Sequence, residues 1–122
     1  MMKKHIKEQW IKALRSGEYA QGVGYLKSGT GDNEAYCCLG VLCDLAVKAG
    51  ADIGVYVDTD EEVWFFDTNG EVLPESVMEW SGLNSHIGSY GEGESHVTKS
   101  LAWRNDEGDS FAKIADLIEE HF

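Results

Sequence analysis

The chain has 122 residues, 43 % of them apolar, and a net charge of −12. This suits one domain with a core of its own and excludes a disordered chain, while apolar runs of only four or five residues exclude a membrane span. The acidic balance is the reverse of what a duplex-binding protein carries, so direct nucleic-acid binding is disfavoured.

The first residues, Met1-Met2-Lys3-Lys4-His5, lead into Ile6-Lys7-Glu8-Gln9-Trp10 and not into the apolar core of a signal peptide. Ile6, Trp10 and Leu14 recur at four-residue steps, which predicts an amphipathic helix over 4–15 that stops at Ser16-Gly17. From Glu18 to Lys27, Tyr19, Gln21, Val23 and Tyr25 alternate with smaller or glycine neighbours, predicting an extended segment or hairpin arm. Gly22 and Gly24 within it mark a bulge or a close approach of backbone or ligand.

Residues 37–49 form the most apolar helix, stopped by Gly50. Ile53 to Asp58 and Glu62 to Asp67 read as strands joined by Thr59-Asp60-Glu61. Asn69-Gly70 predicts a second hairpin, pairing Val63–Asp67 with Glu71–Leu73. Pro74 is expected at the first position of a helix over Glu75–Ser81, with Gly82 as its stop. Residues 84–96 form a glycine- and serine-rich surface loop, and Val97–Trp103 a last strand or helical turn. Asp109 or Ser110 caps a final helix whose Phe111, Ile114, Ala115, Ile118 and Phe122 share a face. The sum is one α+β domain over 1–122, with about four helices around a small, mainly antiparallel sheet.

All three cysteines, Cys37, Cys38 and Cys43, lie within seven residues. An odd count with two adjacent members fits reduced thiols in a cytoplasmic protein. The scattered histidines His5, His86, His96 and His121, with no C-x-x-C, supply no zinc set, so no metal or cofactor is expected. A cysteine at a helix N-terminus can be a nucleophile, with His86 or His96 as base and Asn105 or Asp106 orienting it. Core packing of the thiols is the preferred reading, and no catalytic residue is assigned.

Charge is unevenly spread. Residues 1–27 carry six basic residues against two acidic ones, a net +4, and the remainder carries four against twenty, a net −16. The basic head suits a small anion or the acidic face of a second subunit. Within it, Arg15, Tyr19, Gln21, Tyr25 and Lys27 form the candidate ligand site. Arg or Lys takes phosphate, Tyr stacks on a planar ring, and Gln reads its edge. The same residues also suit a helix end and a half-buried strand. The acidic run Asp58, Asp60, Glu61, Glu62, Asp67 and Glu71 lacks calcium-loop spacing. It reads as solvated hairpin surface, or as a face that imitates a phosphate backbone. The exposed positions of the final helix, Asp116, Glu119 and Glu120, rule out a helix-turn-helix reading.

Four blocks together carry a resemblance: W-I-K-A-L-R-S-G-E-Y-A-Q-G-V-G-Y-L over Trp10–Leu26, Y-C-C-L-G-V-L-C-D-L-A over Tyr36–Ala46, L-P-E-S-V-M-E-W-S-G-L over Leu73–Leu83, and L-A-W-R-N-D-E-G-D-S-F-A-K-I-A-D-L-I-E over Leu101–Glu119. The set resembles a family of small uncharacterised bacteriophage and prophage proteins. The resemblance implies a phage product acting in the bacterial host cytoplasm, and it transfers no catalytic residue. Such a context favours a non-enzymatic counter-defence protein. Its partner would be a small nucleotide-derived signal, held within one chain or at the interface of a homo-oligomer. The alternatives are an acidic inhibitor of a host defence protein, acting through Asp60, Glu61 and Glu62, and a cysteine hydrolase.

Overall fold

A computed structural model describes residues 2–122; Met1, the start of the expected domain and of its basic head, lies outside the described residues. Five α-helices and four strands follow in the order α1 (Lys4–Arg15), β1 (Lys27–Ser28), β2 (Ala35–Tyr36), α2 (Cys38–Lys48), β3 (Val55–Asp58), β4 (Val63–Phe66), α3 (Glu75–Ser81), α4 (Leu101–Asp106) and α5 (Phe111–His121). The strands pair antiparallel in the order β2-β1-β4-β3. The α+β class follows, in one domain.

Helix α2 is the axis of the core. Cys38 to Cys43 and Ala46 are all buried, so the segment is apolar on every side and packs against α1, α3 and α4. Helix α1 presents Ile6, Trp10 and Leu14 inward, and the Trp10 indole N–H donates to the Cys38 carbonyl at 2.9 Å. Helix α5 lies along α1 and buries Phe111, Ile114, Ala115 and Ile118. Gly40 explains why a glycine sits within so apolar a helix. A Cβ there would lie 1.6 Å from the Leu26 carbonyl oxygen, so only glycine lets the chain entering β1 cross α2 this closely.

Several expectations need correction. Glu18 to Lys27 is not a hairpin arm: only Gln21 makes an isolated parallel bridge, to Tyr36, before β1 begins at Lys27. The amides of this segment scatter: Glu18 to the Ser16 hydroxyl, Gly22 to the Tyr36 carbonyl, Gly24 to Asp106 and Leu26 to the Gly70 carbonyl. Such scattered partners cannot build a ladder. Of the segment's two glycines, Gly22 marks a close approach, since a Cβ there would sit 3.0 Å from that of Ala35, whereas Gly24 lies in open space at φ 82°.

The tight turn falls two residues before the expected Asn69-Gly70: Phe66 and Asn69 exchange backbone hydrogen bonds across Asp67-Thr68, and no strand follows it among the described residues. The Leu73 amide turns away to the His86 carbonyl. Val97–Trp103 holds no strand; helix α4 begins at Leu101, capped by the Ser100 hydroxyl. Pro74 is the cap residue of α3 and not its first helical residue, while Gly82 ends that helix at φ 85°. Of the two expected caps for α5, the Ser110 side chain accepts from the Lys113 amide.

Candidate functional site

The five sequence-derived site residues do not line one cleft. Arg15, the last residue of α1, reaches across to α5 and donates to Asp116 at 2.7 Å and Glu119 at 3.0 Å. Those two hydrogen bonds, Asp116 first, raise its pKa. The Gln21 amide is consumed internally: it donates to the Asn105 side chain at 2.9 Å and the Asp109 carbonyl at 2.7 Å, and accepts from the Phe111 amide at 3.1 Å. Lys27 is nearly enclosed. Its ammonium lies 3.9 Å from the Trp64 ring centre, 5.3 Å from that of Tyr36 and 3.3 Å from the Glu34 carboxylate. A cation held between two rings and a carboxylate braces the sheet and is not free for a phosphate.

Tyr19 is also engaged. Its hydroxyl donates to Asp44 and accepts from Lys48, and its ring meets Tyr36 edge-on at 5.0 Å. Burial, then the Asp44 hydrogen bond, pushes its pKa to about 12. Tyr19 lines a groove of about 480 Å³ in which four carboxylates, Glu18, Asp32, Glu34 and Asp44, outnumber one cation, Lys48, already paired with Asp44, a balance that disfavours an anion. Tyr25 lies elsewhere, exposed beside Phe65 and Gly70.

The basic head instead builds a groove of about 760 Å³ along the outer side of α1, where Lys4, Lys7, Lys12 and Arg15 surround Ile11 and Glu119 of α5 closes one side. Positions 4, 7, 8, 11, 12 and 15 share one helix face, which flanks the buried stripe of 6, 10 and 14. Lys7 donates to the Glu119 carbonyl at 3.3 Å, whereas Lys4 and Lys12 make no ion pair among the described residues. Two free ammonium groups, two partly engaged cations and an apolar floor can hold an anion that also carries a ring or other apolar body. Of the sequence-derived candidates only Arg15 belongs to this groove. Lys4, Lys7, Ile11 and Lys12 lie outside the sequence-derived set, although their spacing of three and four places them on one helix face.

The cysteine constellation has a different fate. Cys37, Cys38 and Cys43 are buried and free. Burial pushes Cys37 to about 11, against the opposing pull of the Gly40 and Leu39 amides. The helix N-terminus does favour a thiolate here, and desolvation outweighs it. Cys38 and Cys43 are raised by burial as well, and no thiolate forms near neutral pH. His86 and His96 contact the carbonyls of Leu73 and Gly93, and Asn105 turns its amide to Gln21, Gly22 and the Cys38 backbone.

The result is a single α+β domain whose basic groove lies on its first helix. The chain belongs to the family described as a domain of unknown function, DUF8296, whose model matches residues 2–122. No curated protein and no solved structure matches it. No helix among the described residues is long and apolar enough to cross a membrane.

Proposed function

We propose that this is a phage-encoded, non-enzymatic binding protein of the host cytoplasm that sequesters a small nucleotide-derived signal in the groove along α1. One observation carries the reading: in a chain of net charge −12, four cations gather around the Ile11 side chain on one helix face. Phosphate oxygens would meet Lys4 and Lys12, with Lys7 and Arg15 flanking them, and the base would lie on Ile11. Glu8 and Glu119 sit at the rim and temper the positive field, which favours a ligand with one or two phosphates over a polyanion. Enclosure of the thiols supports a binding role over hydrolysis, because a nucleophile needs both a thiolate and access.

Calorimetric titration with a cyclic dinucleotide, with ADP and with inorganic pyrophosphate tests the reading. Binding that weakens at least about tenfold in Lys4→Ala/Lys12→Ala supports it, since charge-assisted contacts contribute on the order of 1–3 kcal/mol each. Equal affinity in the variant and the parent would remove the groove as the site.

A further inference from the structure

Strand β3 is one edge of the sheet, and its outer side has no strand partner among the described residues. The Gly54 carbonyl accepts from Asp67, so Gly54, Tyr56 and Asp58 turn their backbone groups toward β4. By the alternation of an antiparallel ladder, Val55 and Val57 turn theirs outward. Val55 is 39 % exposed and Tyr56 51 %, so the edge is uncovered and partly apolar. Natural sheets usually blunt such an edge, because it templates pairing with another chain.

The two faces along this edge differ. Tyr56 and Asp58 share a face with their cross-strand partners Phe65 and Val63. There the Tyr56 and Phe65 rings stack at 5.1 Å and 14°, beside a cavity of about 310 Å³ that Tyr25 and Glu71 also line. The other face carries Val55 and Val57. Charge adds a second constraint. Asp52, Asp58, Asp60, Glu61 and Glu62 surround the edge, and no Lys or Arg occurs between Lys48 and Lys99.

We infer that the β3 edge is a docking strip that takes an extended, basic segment of a partner protein as a fifth strand. Main-chain bonds to Val55 and Val57 would set its register. Every second side chain would lie beside Tyr56 and Asp58, where an Arg stacks on the ring pair and faces carboxylates. The intervening side chains would lie beside Val55 and Val57 and should be apolar. A second copy of this chain fits poorly, because β3 against β3 brings two sets of five carboxylates together.

The test is fluorescence anisotropy with a short dye-labelled peptide of alternating Arg and Val, and a Glu/Val peptide as control. Val57→Pro removes an outward N–H and leaves the inward ladder intact, a substitution edge strands tolerate. Asp60→Lys/Glu61→Lys reverses two exposed charges of the β3–β4 turn and decides the matter should the proline variant fail to fold. The expected result is binding of the Arg/Val peptide alone, weakened at least about tenfold in each folded variant and by added salt. Failure to bind, or equal affinity in the variants, would overturn the inference. So would a dimer of the parent protein that Val57→Pro disperses, which would make a second copy the occupant.

Discussion

Asn105 caps a helix to which it does not belong: its side-chain oxygen accepts the backbone N–H of Cys38, the first residue of α2, at 3.2 Å. Cys37, the cap residue in sequence, offers no side-chain bond. The same oxygen accepts from Gln21, whose own oxygen accepts from Phe111 at the start of α5, and the Asn105 amide donates to the Gly22 carbonyl at 2.8 Å. One pair of amide side chains thus closes two helix N-termini and pins the loop after α1. Three of the four sequence blocks, Trp10–Leu26, Tyr36–Ala46 and Leu101–Glu119, meet at this knot.

Because Asn105 is fully buried, its truncation strands the Cys38 amide, the Gly22 carbonyl and part of Gln21 together. Asn105→Ala should cost about 2–4 kcal/mol of unfolding free energy, and Gln21→Ala, at the exposed end of the knot, about 1 kcal/mol. The double variant should lose less than the sum of the two, since each change removes a shared bond. Urea denaturation of the four proteins measures this, and strict additivity would show that the two residues act separately.

Gly40→Ala is expected to be among the most damaging single changes. The added carbon would lie 1.6 Å from the Leu26 oxygen, backbone against backbone, with no flexible side chain to yield. A loss above about 4 kcal/mol, or failure to accumulate as soluble protein, follows. Gly17→Ala is the matched control: at φ 78° with open space around it, it should cost only about 1 kcal/mol. Comparable losses for the two would remove the close approach at Gly40 as the cause.

Alkaline pH should destabilise the protein, with all three buried thiols and Tyr19 contributing loss of the same sign. The Cys37 thiol is raised from 9.0 to about 11, so above pH 9 the unfolded chain releases this proton before the folded one does. Stability present below pH 9 is therefore lost toward pH 11. Tyr19, raised from 10.0 to about 12, adds the same sign of loss between pH 10 and 12. Thermal melts across this range should fall more steeply for the parent than for Tyr19→Phe, which removes the titrating hydroxyl. At neutral pH, iodoacetamide should label none of the three thiols until the protein unfolds; labelling of the folded protein would reopen the nucleophile reading.

Arg15 separates stability from binding. Its guanidinium is exposed, and exposed ion pairs contribute little. Arg15→Ala should leave the melting temperature nearly unchanged and still weaken anion binding. A large loss of stability would make its contact with α5 structural first.

Much of the fold is legible in the chain because local patterns set it. Ile6, Trp10 and Leu14 fix α1 at 4–15, Gly82 ends α3, and Asp58 closes the β3–β4 turn by accepting from the Asp60 and Glu61 amides. The segment 18–27 misleads because its partners, Tyr36, Gly70 and Asp106, lie far away in sequence, and its alternation marks neither a ladder nor a buried face: Val23 and Tyr25 are exposed while Leu26 is buried. The candidate site misleads for the same reason. Gln21 and Lys27 have the chemistry of ligand contacts, and Asn105 and the rings of Trp64 and Tyr36 consume it. Helical spacing alone puts Lys4, Lys7, Ile11, Lys12 and Arg15 side by side, whereas the wall that Glu119 supplies required the packing of α5 on α1. The free edge of β3 required the strand order.

The most direct test of the central claim is native mass spectrometry of the protein purified gently from bacteria with active nucleotide-signalling defences. The account predicts a reproducible extra mass of roughly a few hundred daltons, the size of a mono- or dinucleotide, that is lost on denaturation. It also predicts that Lys4→Ala/Lys12→Ala/Arg15→Ala carries none of it. A bare protein mass from such cells, or the same extra mass on the triple variant, would contradict it.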